Sequence, residues 1–361
     1  MATDCIITGG GVIGLLVARE LSRAGQSVVI LERGEIGRES SWAGGGILSP
    51  LYPWQTSAPV EALVRWSQDC FPVLTEELRI GTGIDSEWVR SGLLIFDTEH
   101  RDEALEWALR TGAAVEIVEP RYLKEIEPQA AEASSAVLWL PQVAQVRNPR
   151  LLRALRVFLE KAGVLIIEHA EVLSVLSGDS RVTGVKTSKG DFSADKVVVA
   201  SGAWTGQLLK PFPLKRAITP VRGQILLVQT PSGFLRRILL KQDCYLVPRL
   251  DGRVLVGSTV EHVGFDKSIT KEANTSLLTW ARHIVPALTE YPVERQWAGL
   301  RPHSASGVPY IGPHPELEGL FVNAGHFRNG VAAGPASARL LADLMVEREP
   351  ILPPGPYSPE R

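Results

Sequence analysis

Glycine-rich turns at opposite ends of the chain, with two arginines, carry most of the chemistry this chain could do. The first turn is Gly9-Gly10-Gly11-Val12-Ile13-Gly14, entered from the apolar run Cys5-Ile6-Ile7-Thr8. In such a turn Gly9 allows a tight exit from a strand and Gly11 lets backbone approach a pyrophosphate. Gly14 permits close helix–strand packing. A helix opening at Val12 offers free N–H groups and its positive dipole end to phosphates. Glu32, 18 residues after Gly14, ends the run Ser27-Val28-Val29-Ile30-Leu31, where a carboxylate accepts hydrogen bonds from ribose hydroxyls. Far along the chain, Trp297-Ala298-Gly299-Leu300-Arg301-Pro302 and Gly325-His326-Phe327-Arg328-Asn329-Gly330 set two arginines among glycines. A guanidinium fork suits a small carboxylate. The pattern joins a dinucleotide site to an anion site.

These residues need particular elements to position them. Residues 5–8 read as a buried strand and residues 12–24 as a helix, with Val12, Ile13, Leu16, Val17 and Leu21 near helical spacing and Gly25 as its C-terminal cap. The run ending at Glu32 completes a β-α-β unit. Lys196–Ala200, leading into Ser201-Gly202-Ala203-Trp204, and Gly319–Ala324 have the same buried-strand character. A helical pattern runs from about Val331 to Val346, and the last dozen residues read as a loose tail. Residues 86–97, 215–229, 239–249 and 253–260 read as an antiparallel sheet with hairpins. The expected class is α/β: a discontinuous Rossmann-like cofactor domain (1–80, 143–216 and 302–361) and a substrate domain on a mainly antiparallel sheet (81–142 and 217–301). No internal repeat or low-complexity tract interrupts this plan.

The bulk composition fits that plan. The 361 residues suit about two domains, and 45% hydrophobic with 22% charged residues argues against disorder. A net charge of −2 supplies no general basic field for nucleic acid. Cys5, Cys70 and Cys244 have no C-x-x-C spacing, so no zinc site and no disulfide framework is expected. A reducing, cytoplasmic setting follows. The longest apolar stretch near the start, Val12–Ala18, is too short to span a membrane, and no signal peptide is expected.

Three features favour FAD over a nicotinamide cofactor. The glycine motif sits at the N-terminus. Arg38-Glu39-Ser40-Ser41-Trp42-Ala43-Gly44-Gly45-Gly46 follows the second strand closely. A late strand ends in Gly325 and leads through Gly330 into a helix, whose N-terminus would favour negative charge on a reduced isoalloxazine.

At this point the chain resembles the FAD-dependent D-amino-acid oxidase family, most closely its glycine oxidase branch. The matching stretches are Gly9–Gly14, Ser41–Gly46, Val199–Trp204, Cys244-Tyr245-Leu246-Val247-Pro248-Arg249, Trp297–Pro302 and Gly325–Gly330, in the family's order over nearly the whole chain. The resemblance implies non-covalent FAD and oxidation of a small amino acid to an imine, then hydrolysis to a 2-oxo acid and ammonia or an amine. Oxygen would accept the electrons and yield hydrogen peroxide; a dehydrogenase using another acceptor is the alternative. It also implies a homo-oligomer, often a tetramer, and a role in making the thiazole part of thiamine.

The resemblance carries roles to single positions. Arg301 would clamp the substrate carboxylate, Tyr245 would add a hydrogen bond and Arg328 would stand near substrate and flavin. Ile47 and Asp243 complete the expected substrate set. Asp243 departs from related sequences that carry histidine there. Expected FAD contacts are Gly9, Gly11, Val12, Ile13, Gly14, Glu32 and Arg33, then Ser40, Ser41, Ala43, Gly44, Gly45 and Gly46. Val172, Ser201, Gly202 and Trp204 follow, with Gly325, His326, Arg328, Asn329, Gly330 and Val331. Structural readings stay open beside these: Arg301 as an ordinary ion-paired arginine, Arg328 as a loop support, Tyr245 as core. Asp243 also reads as a solvated strand residue and His326 as a structural contact. Leu51-Tyr52-Pro53-Trp54 reads equally as lid or as packing.

Overall fold

The apolar β-branched runs sort into two eight-stranded sheets in a computed structural model that describes residues 3–97, 99–215 and 217–361. In the first sheet Thr3–Thr8 lies between Val28–Leu31 and Gly190–Val199, parallel to both. Leu165–Ile167 extends one edge in parallel, and Leu320–Ala324 joins Gly190–Val199 in parallel on the other side. Tyr310–Pro313 closes that edge antiparallel, and the hairpin Val172–Gly178/Arg181–Thr187 continues from Gly190–Val199. These central strands are apolar on both faces: helices cover one, and the hairpin Val172–Gly178/Arg181–Thr187 with its neighbouring segments covers the other. The helices Val12–Arg23, Ala58–Thr82, Asn148–Lys161 and Gly334–Met345 pack together around one buried cluster.

The second sheet runs in the order Val293–Ser304, Ile218–Gln229, Arg253–Gly257, Cys244–Pro248, Ile238–Lys241, Leu93–Ile95, Val137–Leu140, Glu116–Val118. Every pairing is antiparallel except Ile238–Lys241 with Leu93–Ile95. The fold is therefore mixed α/β with two multistranded sheets.

Several elements differ from the sequence reading. Within 86–97 the three residues Leu93–Ile95 form the strand, because Gly92 at φ +67 turns the chain against the Trp139 ring. The last helix begins at Gly334, three residues later than expected, because 329–333 form a turn in which Ala333 N–H donates to the Asn329 carbonyl. Pro335 then sits in the first helical turn, where its missing N–H costs nothing. The C-terminus is no loose tail: Tyr357 is 2% exposed and its hydroxyl donates to the Pro59 carbonyl at 2.8 Å. The expected boundary at 301/302 falls inside the continuous strand Val293–Ser304, and that at 80/81 inside the helix Ala58–Thr82. The boundary at 216 lies outside the described residues. Among the described residues, no helix is long and apolar enough to cross a membrane.

Candidate active site

One continuous cleft opens between the carboxyl ends of the parallel strands and the second sheet. Its wall includes Gly9, Gly11, Glu32 and Ser201 at one end and Tyr245, Arg301 and Arg328 at the other. Such a crevice outside the strand ends is where open α/β sheets bind ligands.

The first end is built by backbone geometry. Gly9 adopts φ +107 as the chain leaves its strand, and a side chain there would meet the Ala200 carbonyl oxygen at 2.6 Å. Gly14 packs so tightly that an added Cβ would lie 2.0 Å from the Gly9 carbonyl oxygen. The Glu32 carboxylate, 8% exposed, accepts from Gly10 N–H at 2.7 Å and from Gly34 N–H at 2.9 Å, one bond per oxygen. Each oxygen keeps acceptor capacity for a further donor. Ser41 Oγ accepts from Val12 N–H at 2.9 Å and so ties the second glycine turn to the helix start. Arg33 lies over the Trp204 ring, 3.5 Å from its centroid, and pairs with Glu39 at 2.9 Å.

The Ser40–Gly46 turn is held from three sides. Asn148 Nδ2 donates to the carbonyls of Ser41 (2.8 Å) and Gly44 (3.2 Å). Trp297 Nε1 donates to the Ala43 carbonyl at 3.1 Å, and Arg249 to the Gly45 carbonyl at 2.8 Å. Asn148 Oδ1 is buried in the cleft wall and has no partner. A buried orphan acceptor in a cleft calls for a ligand donor or water.

The other end holds the cations. Arg301 donates Nη1–H bonds to the carbonyls of Arg222 (3.3 Å) and Thr259 (3.0 Å) and an Nη2–H bond to Ser258 Oγ (2.6 Å). All three acceptors are uncharged, and among the described residues no carboxylate pairs with it. Desolvation lowers its pKa, opposed by Tyr245 and reinforced by Arg328. It remains a cation, as arginine does in proteins. Gly223 makes room for it, since a Cβ there would lie 2.2 Å from the guanidinium. Tyr245, 7% exposed, has its ring between Gly45 and Gly257, where a Cβ on either would come within 2.9 Å. Its hydroxyl has no protein partner among the described residues. Arg328 pairs with Asp243 at 2.8 Å, and its Nε is buried without a partner.

His326 also reaches the cleft wall but is 3% exposed, with Nε2 2.7 Å from Ser337 Oγ. The Ser337 hydroxyl proton goes to Asn323 Oδ1, so the imidazole Nε2 donates. Burial pushes its pKa down to about 3, which keeps the ring neutral. Of the residues singled out in sequence, Gly14, Gly325 and Asp243 stand off the cleft wall; Ile47, Val172, Ser40, Gly202, Asn329, Gly330 and Val331 lie on it. Leu51 lines the cleft, whereas Trp54 packs on Tyr52 and Trp107. Sequence reasoning missed Gly223, Ser258 and Asn148. An isolated glycine within a strand pattern was a usable signal for Gly223; nothing local marks the other two.

With the geometry described, comparison with known proteins decides the family. The family described as FAD dependent oxidoreductase (DAO) matches residues 4–344. The chain belongs to the DAO family. It is 47% identical to glycine oxidase of Pseudomonas aeruginosa, with 99% of each chain covered. It is 44% identical to glycine oxidase of Pseudomonas putida, covering 100% of this chain and 99% of that one. The crystal structure of glycine oxidase from Geobacillus kaustophilus superposes with TM-score 0.95 at 34% identity, over 100% of this chain and 99% of that one. This DAO-family chain is an FAD-dependent oxidoreductase, and its cleft fits the cofactor: bare glycine backbone at Gly11 on the wall, carboxylate acceptors at Glu32 and an unfilled acceptor at Asn148. Among the described residues no cluster could hold a metal ion.

Proposed function

We propose that this protein oxidises glycine and other small amines or D-amino acids to a 2-oxo acid, ammonia or an amine, and hydrogen peroxide. For glycine, water and oxygen enter with the substrate, and glyoxylate, ammonia and hydrogen peroxide leave. FAD, when bound, supplies the acceptor for the hydride from the α-carbon and passes the electron pair to oxygen. The observation that carries this reading is Arg301, a desolvated cation on the cleft wall with only neutral partners. A substrate carboxylate completes its charge and takes its remaining N–H donors. The Tyr245 hydroxyl adds a donor without adding charge. Arg328, paired with Asp243, stands beside this site, and Ile47 gives it an apolar wall. Held at its carboxylate, the substrate presents its α-carbon in one orientation, and orientation supplies much of the rate. No protein base at the α-carbon is required.

Glu32, Arg33, the Ser40–Gly46 turn, Val172, Ser201–Trp204 and the 325–331 turn are the residues we assign to FAD. The cofactor domain in this reading is 1–80, 143–216 and 302–361, and the substrate domain 81–142 and 217–301. Three free cysteines accord with a cytoplasmic setting. Val73 and Ile80, 71% and 73% exposed on one helix, support association with further copies of the chain. Glycine oxidase activity in the two Pseudomonas relatives supports glycine as substrate, and a role in supplying the thiazole half of thiamine belongs to the same reading.

The test is peroxide release by FAD-loaded protein with glycine, sarcosine and D-alanine, alongside anaerobic bleaching of the flavin. Peroxide with glycine is the expected result. Bleaching without peroxide would replace oxygen by another acceptor, and no bleaching with any amine would overturn the reading. Arg301→Ala should lower kcat/KM by about 2–5 kcal/mol in transition-state terms while the flavin spectrum of the bound cofactor stays. An unchanged KM would remove Arg301 from the carboxylate site.

A further inference from the structure

Beside Arg301 the cleft carries a second guanidinium whose charge is already answered. Arg328 Nη1 donates to Asp243 Oδ1 at 2.8 Å. The Arg328 side chain is 25% exposed and the Asp243 side chain 67%, so the pair stands at the mouth of the cleft, where solvent reaches it. Arg328 lines the cleft and Asp243 does not. Both act electrostatically on Arg301, and both act on Tyr52. The two arginines and the aspartate therefore form one charge system.

The turn that carries Asp243 is set in place by the fold. It occupies the two-residue turn between Ile238–Lys241 and Cys244–Pro248, whose flanking Lys241 and Cys244 pair. Gln242 beside it adopts φ +58. Gln242 N–H donates to Asp97, and the single Tyr52 hydroxyl proton is shared between Asp97 and the Gln242 carbonyl. The turn is thereby fastened to the Leu51–Trp54 segment, and Asp243 stands two positions before Tyr245.

We infer that Asp243 is a specificity determinant: by occupying Arg328 it makes the pocket accept amino acids with one carboxylate and reject those with two. The inference rests on the carboxylate role of Arg301. With Asp243 paired to Arg328, the mouth presents one unanswered cation, which matches one carboxylate. A second carboxylate reaching Arg328 would have to displace Asp243 and then lie beside its like charge. Specificity of this kind comes from a repulsive group as much as from an attractive one. Only Nη1 bonds to Asp243, so the guanidinium has further donors for a second carboxylate once Asp243 is neutralised.

The experiment compares FAD-loaded wild type, Asp243→Asn and the double variant Asp243→Asn/Arg328→Ala. One readout is kcat/KM with iminodiacetate and D-aspartate relative to glycine and D-alanine. The second is the flavin absorbance change on binding malonate relative to acetate, which needs no turnover. Asp243→Asn should raise both dicarboxylate-to-monocarboxylate ratios about tenfold at low salt. The gain should shrink as salt rises and should vanish in the double variant. Ratios within about twofold of wild type, in an enzyme that oxidises glycine and binds acetate, would overturn the role of Asp243 alone. Absence of both amino-acid oxidation and acetate binding in the wild type would overturn this inference together with the reading of Arg301. A gain that persists without Arg328 would also overturn it, because the second carboxylate would then be bound elsewhere.

Discussion

At the scale of single residues, the cleft is shaped as much by missing side chains as by charged ones. Gly223 lies in the middle of the strand Ile218–Gln229 and faces the Arg301 guanidinium, with all three terminal atoms of that group within 2.4 Å of where its Cβ would be. No positive φ is needed there, so alanine fits the backbone. The group it displaces is the far end of a flexible side chain. Gly223→Ala should therefore leave thermal stability nearly intact and raise KM for the amino acid substantially, about tenfold or more. Steady-state kinetics beside a melting curve checks it; equal KM in the variant would show that Arg301 has room to move without consequence. The same logic puts Gly45 and Gly257 on either side of Tyr245, where either Cβ would press on the ring.

At the scale of elements, the strand Leu320–Ala324 and the helix Gly334–Met345 are joined by a buried polar chain. Asn323 Nδ2 donates to the Ser337 carbonyl at 3.1 Å, the Ser337 hydroxyl to Asn323 Oδ1 at 2.7 Å, and His326 to Ser337 Oγ. The turn between these elements lines the cleft, so its shape depends on this chain. His326 has its folded pKa lowered to about 3 from an ordinary 6.5, by burial. Above pH 6.5 the ring is neutral in both folded and unfolded chains, and it adds no pH dependence. Below that, the unfolded chain takes up a proton that the folded one refuses, so stability falls as pH drops from 6.5 toward 3. The slope from this one group is about 1.4 kcal/mol per pH unit. Denaturant melts between pH 7 and 4 should show a shallower decline in His326→Gln than in wild type. An equal slope would mean the imidazole titrates freely in the fold.

At the scale of the whole molecule, Arg249 fastens the second sheet to the Ser40–Gly46 turn and to the segment before the helix Asn148–Lys161. It follows the strand Cys244–Pro248 of the second sheet and is 8% exposed. Nη1 donates to Gln145 Oε1 at 2.6 Å and to the Val146 carbonyl at 3.0 Å; Nη2 donates to the Gly45 carbonyl at 2.8 Å. Burial, with Arg147 adding to it, pushes its pKa down to about 10, which still leaves it charged at neutral pH. Arg249→Ala would strand three buried acceptors and loosen the Ser40–Gly46 turn. The expected loss is on the order of 3 kcal/mol of stability together with weaker FAD binding. Calorimetry and an FAD titration of the apoprotein measure the two. Lysine at this position should recover only part, because one ammonium cannot span acceptors on both segments. Unaltered FAD affinity in the alanine variant would confine Arg249 to a structural role.

Local rules were enough to make the first β-α-β unit legible. The spacing of Gly9, Gly11 and Gly14, the helical repeat from Val12 and the carboxylate closing the second strand are neighbours in sequence, and the physics linking them acts over a few residues. Three features of the chain favoured FAD, and the resemblance of six stretches extended that reading to the D-amino-acid oxidase family. Tertiary structure alone decided what surrounds Arg301, because Arg222 and Gly223 come from the neighbouring strand and Ser258 and Thr259 from the segment that follows Arg253–Gly257, and their uncharged groups leave the cation without a counter-charge. It also decided the partner of Arg328, which lies 85 residues away in sequence. The chain end behaved likewise. Tyr357 found a partner at Pro59, nearly the whole chain away. Contacts of that range are set by packing, and no window of sequence contains them.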